Sequence, residues 1–79
     1  MRFYYYAVPL PDGQWQLTSS LEASPSTHAS REMAVLHARQ QCRRRWEDEG
    51  TPCGVRVQVT EGQYSDEVTF GPELLDDAV

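Results

Sequence analysis

Tyr4-Tyr5-Tyr6-Ala7-Val8-Pro9-Leu10-Pro11-Asp12-Gly13-Gln14-Trp15-Gln16-Leu17 decides the fold. Phe3 to Val8 is β-prone throughout, and its two alternating faces are both apolar: Phe3, Tyr5 and Ala7 on one, Tyr4, Tyr6 and Val8 on the other. A strand apolar on both faces belongs in the middle of a sheet. Pro9 and Pro11 end ladder pairing, and Asp12-Gly13 supplies the positive φ that reverses the chain. Trp15 and Leu17 then alternate with Gln14, Gln16 and Thr18, which predicts a half-buried second strand. The stretch reads as a hairpin.

Downstream, residues 19–29 are small and polar around Pro25, and predict a loop from sheet to helix. Ser30 is the expected N-cap, with Glu32 in the first turn, and the helix should run from Arg31 to Glu49 before Gly50 and Pro52 stop it. Ala34, Val35, Ala38, Cys42 and Trp46 share one helical face, so the sheet-facing stripe starts small and should be anchored by the Trp46 indole. Val55, Val57 and Val59 alternate with Arg56, Gln58 and Thr60 as a third strand. Glu61-Gly62 reverses the chain, and Tyr64, Val68 and Phe70 should continue one face of a fourth. A regular two-residue turn would set Asp66 opposite Val57 on the buried face, so a bulge or break is expected near Ser65-Asp66. The expected fold is α+β in the order β-β-α-β-β. It is a single antiparallel sheet, ordered 2-1-3-4, with one helix across one face. Residues 1–72 form the domain and 73–79 an acidic tail expected to be disordered.

The chain has 79 residues, enough to bury about 63% of the surface its unfolded form exposes, hence one thin core. Twelve acids against seven arginines leave a net charge of −5, so long-range attraction to a polyanion is not the default. Lys, Ile and Asn are absent, which points to a high-GC, bacterial genome. No apolar run is long enough for a membrane span, and Met1-Arg2-Phe3-Tyr4-Tyr5-Tyr6 lacks a signal peptide's apolar stretch, which predicts a cytoplasmic location. In that compartment Cys42 and Cys53 read as free thiols, Cys42 packed and Cys53 reachable. Neither has metal-ligand spacing, and His28 and His37 stand alone as exposed-type histidines, so no metal or cofactor is expected.

Tyr6-x-Val8, Asp12-Gly13-x-Trp15-x-Leu17, Ser30 opening a helix with Ala34 and Ala38-Arg39, then Glu61-Gly62 and Thr69-Phe70-Gly71, resemble a small bacterial domain of unknown function built from a hairpin, a helix and a closing hairpin. Trp46-Glu47-Asp48-Glu49-Gly50-Thr51-Pro52 is similar to the acidic helix end of HicB-like antitoxin domains, a resemblance that implies a nucleic-acid-associated regulator.

Ser19, Ser20, Ser24 and Ser26 lie in the expected loop without a nucleophile elbow or an assigned base, so the protein reads as non-enzymatic. Arg43, Arg44 and Arg45 point in different directions on a helix and sit four residues before Glu47, Asp48 and Glu49, which offset them. Arg39 and Arg43, one turn apart, are the most coherent basic spot. Tyr4 and Tyr6 would lie on a sheet face the helix leaves bare. The candidate interaction surface is therefore Tyr4, Tyr6, Arg39 and Arg43. Protein contact, with a second copy or another protein, is the first expectation, and nucleic-acid binding through the arginines the alternative.

Overall fold

Alternation over the first strand and the capped apolar stripe of the helix produce the elements they predict. The computed structural model describes residues 2–71; the expected acidic tail, 73–79, lies outside the described residues. The elements are β1 (Phe3–Pro9), β2 (Trp15–Ser19), β3 (Ser26–His28), α1 (Arg31–Glu49), β4 (Cys53–Thr60) and β5 (Gln63–Phe70). The Ser30 hydroxyl accepts the Met33 N–H at 3.2 Å to open α1, and Gly50, at φ +68°, closes it by donating its N–H to the Trp46 carbonyl at 3.0 Å. The β1–β2 reversal spans residues 10–14, with the Gln14 N–H bonded to Asp12 Oδ1 at 3.0 Å and Gly13 at φ +90°.

The α+β class holds, with α1 packed on one face of the sheet. The sheet itself differs from expectation. It has five strands in the order β3-β2-β1-β4-β5, and β1 pairs with β4 in parallel, so it is mixed rather than antiparallel. The difference is one of parity. Residues 26–28, expected within a loop, form an extra edge strand paired with Trp15, Gln16 and Leu17. That reversal sends the chain into α1 from the opposite end of the sheet, and the return strand then runs alongside β1 instead of against it.

Tyr5, Ala7, Leu17, Ala34, Val35, Ala38, Cys42, Cys53, Val55 and Val57 form the core, all between sheet and helix. Trp15, Leu21, Val68 and Phe70 pack around it. Trp46 is half-buried and is not among the core residues, so the stripe ends at Cys42 and not at the indole. Two other contacts hold this half of the helix. Cys42 and Cys53, expected as free thiols, are joined as a disulfide: the helix face sets Cys42 over the first residue of β4, with Cα atoms 5.4 Å apart, within the range a disulfide needs. This pairing overturns the free-thiol reading that was drawn from the expected compartment. Arg45 provides the second tie, donating to the Leu21 carbonyl at 2.9 Å and to Glu22 at 3.0 Å.

The expected bulge is present one residue further on. Register shifts between Val55 and Arg56, so Asp66 lies opposite Arg56 rather than opposite Val57. Glu67 leaves the ladder and pairs with Arg31 at 3.0 Å. The same shift moves Tyr64, expected on the face of Val68 and Phe70, to the other side of the sheet.

Candidate functional site: the uncovered face of the sheet

Strand periodicity assigns every second residue to the side away from α1. On β1 these are Tyr4, Tyr6 and Val8; on β4, Gly54, Arg56, Gln58 and Thr60; on β5, Tyr64, Asp66 and Thr69. Parallel register places Tyr4 beside Gly54 and Tyr6 beside Arg56. Gly54 is the enabling residue: a Cβ there would stand 2.8 Å from Tyr4 Cε1 and 3.0 Å from Cδ1. Without it the Tyr4 ring lies down on the β4 backbone, and the Arg56 guanidinium stacks on the ring, 3.6 Å from its centre. Tyr6 continues the row, its ring 6.3 Å from Tyr4 and 5.4 Å from Tyr64, the latter edge-on.

Arg56 also donates through Nε to Asp66 Oδ1 at 2.8 Å, and this bond, opposed by partial burial, raises its pKa above the usual guanidinium value. Arg56 and Asp66 are the only charged strand residues on this face among the described residues, and they neutralise one another. The result is an aromatic strand surface whose two charges cancel, on a chain of net charge −5. The excess negative charge lies elsewhere, as in Glu47, Asp48 and Glu49 at the end of α1.

The four candidate residues do not form one surface. Tyr4 and Tyr6 lie on the bare sheet face, whereas Arg39 and Arg43 are exposed on α1, across the core from them. Arg43 is paired with Glu47 at 2.9 Å. Arg39 borders an open groove of about 300 Å³ with Arg31, Glu32, Val35 and Leu36. Sequence reading missed Tyr64, Arg56 and Gly54. Arg56 carried a signal in the alternation of β4, but its neighbours depend on the parallel register, and Tyr64 depends on the bulge.

Two further polar clusters occupy the helix side. The buried Tyr5 hydroxyl donates to Glu22 Oε2 at 2.8 Å, and Arg45 shares the same oxygen. Burial, then the bond to Glu22, raises the Tyr5 pKa, while the bonds from Tyr5 and Arg45 lower that of Glu22. His28 and His37 do not stand alone: their rings are 5.0 Å apart, and both are half-buried. Ser26, ordered in β3 rather than in a loop, shares a hydrogen bond with His28 Nε2 at 2.9 Å. Burial, reinforced by the nearby His37, lowers the His28 pKa.

No helix among the described residues is long and apolar enough to cross a membrane. Comparisons with protein-family models, curated proteins and solved structures find no match.

Proposed function

We propose that the protein is a non-enzymatic contact module that works through the bare face of its sheet, and that a second copy of the chain is the partner this face fits best. The observation that carries the reading is the row Tyr64–Tyr6–Tyr4–Arg56, seated by Gly54 and free of net charge. Tyr and Arg are the residues that most often carry binding energy at protein interfaces. Two chains of charge −5 repel one another, so they meet most readily through the surface where that charge is absent. A face-to-face dimer about a two-fold axis satisfies this, each tyrosine row meeting its own copy.

Size sets the strength. The 31 strand residues, each rising about 3.3 Å on strands about 4.8 Å apart, give a face of roughly 490 Å² in projection. A standard interface buries about 800 Å² per partner, so the pairing is reversible and concentration-dependent. Sedimentation equilibrium tests it. The expected result is a rise from 9.0 kDa toward twice that mass with concentration, abolished by Tyr6→Asp with the circular dichroism spectrum unchanged. A wild-type chain that stays monomeric at about 0.5 mM, well above the concentrations at which micromolar contacts form, sinks the dimer.

The alternative, a nucleic-acid-associated regulator of the HicB-like antitoxin kind, rests on α1. Arg39 and Arg44 have no ion pair among the described residues, while Arg31, Arg43 and Arg45 are each paired with a carboxylate. The field left for a phosphate backbone is small. Salt-sensitive RNA or DNA binding that weakens in the double substitution Arg39→Gln and Arg43→Gln would favour this reading over the dimer.

A further inference from the structure

We infer that His28 and His37 form a binding site for a divalent transition-metal ion, with Zn²⁺ as the fitting case, which would clamp the edge strand β3 to α1. An imidazole nitrogen binds Zn²⁺ at about 2.0–2.1 Å, so two imidazoles on one tetrahedral ion have ring centres roughly 5 Å apart. The two rings stand 5.0 Å apart and 39° from parallel, so they are neither stacked nor splayed beyond a common ligand. They come from different elements, a three-residue edge strand and the helix, and contact each other across the rim of the core.

The surroundings leave the rings open to a ligand role. Burial, with the neighbouring ring, lowers the His28 pKa, and the neutral imidazole is the form that ligates a metal. Among the described residues no carboxylate bonds to either ring, so neither imidazole is committed to an ion pair there. The hydrogen bond with Ser26 fixes the orientation of the His28 ring, the part an outer-shell group plays at metal sites. Glu22 is near enough for His37 to contribute to its lowered pKa, with Tyr5 and Arg45 holding the same carboxylate. Competing thiolates are absent, since Cys42 and Cys53 are bonded to each other and fully buried.

No group of three or more His, Cys, Asp or Glu side chains converges on a metal position among the described residues. The site therefore offers two protein ligands, with water completing the shell, and belongs to a weaker class than four-ligand structural zinc sites. Its effect is to cross-link β3 to α1.

The test is titration of the tag-free, oxidised protein with zinc chloride, read by calorimetry and by the imidazole proton resonances. The expected result is one equivalent bound, with both histidines shifting together, and an affinity at least tenfold weaker in His28→Gln and in His37→Gln. His28 lies at the sheet edge, so His28→Gln keeps the test valid if His37→Gln perturbs the helix. Absence of saturable binding overturns the inference, as does binding of undiminished affinity in the two single variants. Dimerisation through the tyrosine face on the opposite side of the sheet is read separately, so failure of one leaves the other standing.

Discussion

Gly54 shows how much one missing side chain determines. A methyl at this position has to displace the Tyr4 ring, and with it the guanidinium stacked above. Gly54→Ala should therefore swing the ring outward and cost about 1 kcal/mol, and Gly54→Val about 2–3 kcal/mol, as overpacking does. Urea unfolding measures both, and no loss in Gly54→Val would show that the ring does not rest there. Tyr5 makes a complementary case on the buried side. Tyr5→Phe removes the hydroxyl that Glu22 accepts and should cost about 1–2 kcal/mol by the same measurement. Glu22 itself has a folded-state pKa below its ordinary value, so its contribution is present above pH 4.5 and lost as pH falls through the folded value. Glu22→Gln should flatten the stability profile in that acid range while leaving its shape near neutrality unchanged. These roles were not visible in the residue string. Gly54 reads as a weak point in a strand, and Glu22 as one acid in a polar loop, until the topology brings Tyr4 and Arg45 to them.

Single elements were the most legible level. The β1–β2 hairpin, the limits of α1 and the valine strand follow from alternation, capping and turn residues, all of which act within a few positions along the chain. The bulge was legible too, because a buried aspartate opposite Val57 had no compensating partner. What failed was β3: Ser26-Thr27-His28 has no apolar alternation, and its strand character comes from pairing with the edge of β2. That small omission also hid the parallel register and the His28–His37 contact. The disulfide was missed through an argument about compartment when the spatial one, Cys42 over the start of β4, needed only the core face. By closing an 11-residue separation, the disulfide should stabilise the fold by about 2–3 kcal/mol. Reductant should lower the melting temperature accordingly, and labelling after denaturation of the oxidised protein should find no free thiol. The β3–α1 contact has a pH signature. His28 faces His37 on α1 and Ser26 on its own strand, with Glu22 and its partner Arg45 beyond His37. Its folded pKa lies below the ordinary 6.5, so the unfolded chain takes up the proton first and stability falls as pH drops below that value. His28→Gln should reduce this slope between pH 7 and 5 in a thermal-unfolding series.

Over the whole molecule, the sheet divides two kinds of surface. One side holds the core, the helix and much of the charge, while the other presents tyrosines around a self-neutralised ion pair. Because Arg39 and Arg43 of α1 and Tyr4 and Tyr6 of β1 lie on opposite sides of the sheet, a partner wide enough to engage both pairs would have to wrap the edge of the domain. Substitutions on the two sides should therefore separate cleanly: Tyr6→Asp should abolish assembly and Arg39→Gln should leave it unchanged, both read by sedimentation. The parallel pairing of β1 with β4 also governs how the chain is made. Tyr5 meets Val55, fifty positions later in the chain. During synthesis the adhesive β1 segment therefore precedes its partner, and one flank of that segment stays unsatisfied until some fifty further residues have been added. Prematurely terminated products ending before residue 53 would keep that flank open for good, and should be the species that clump or are cleared by proteolysis during synthesis.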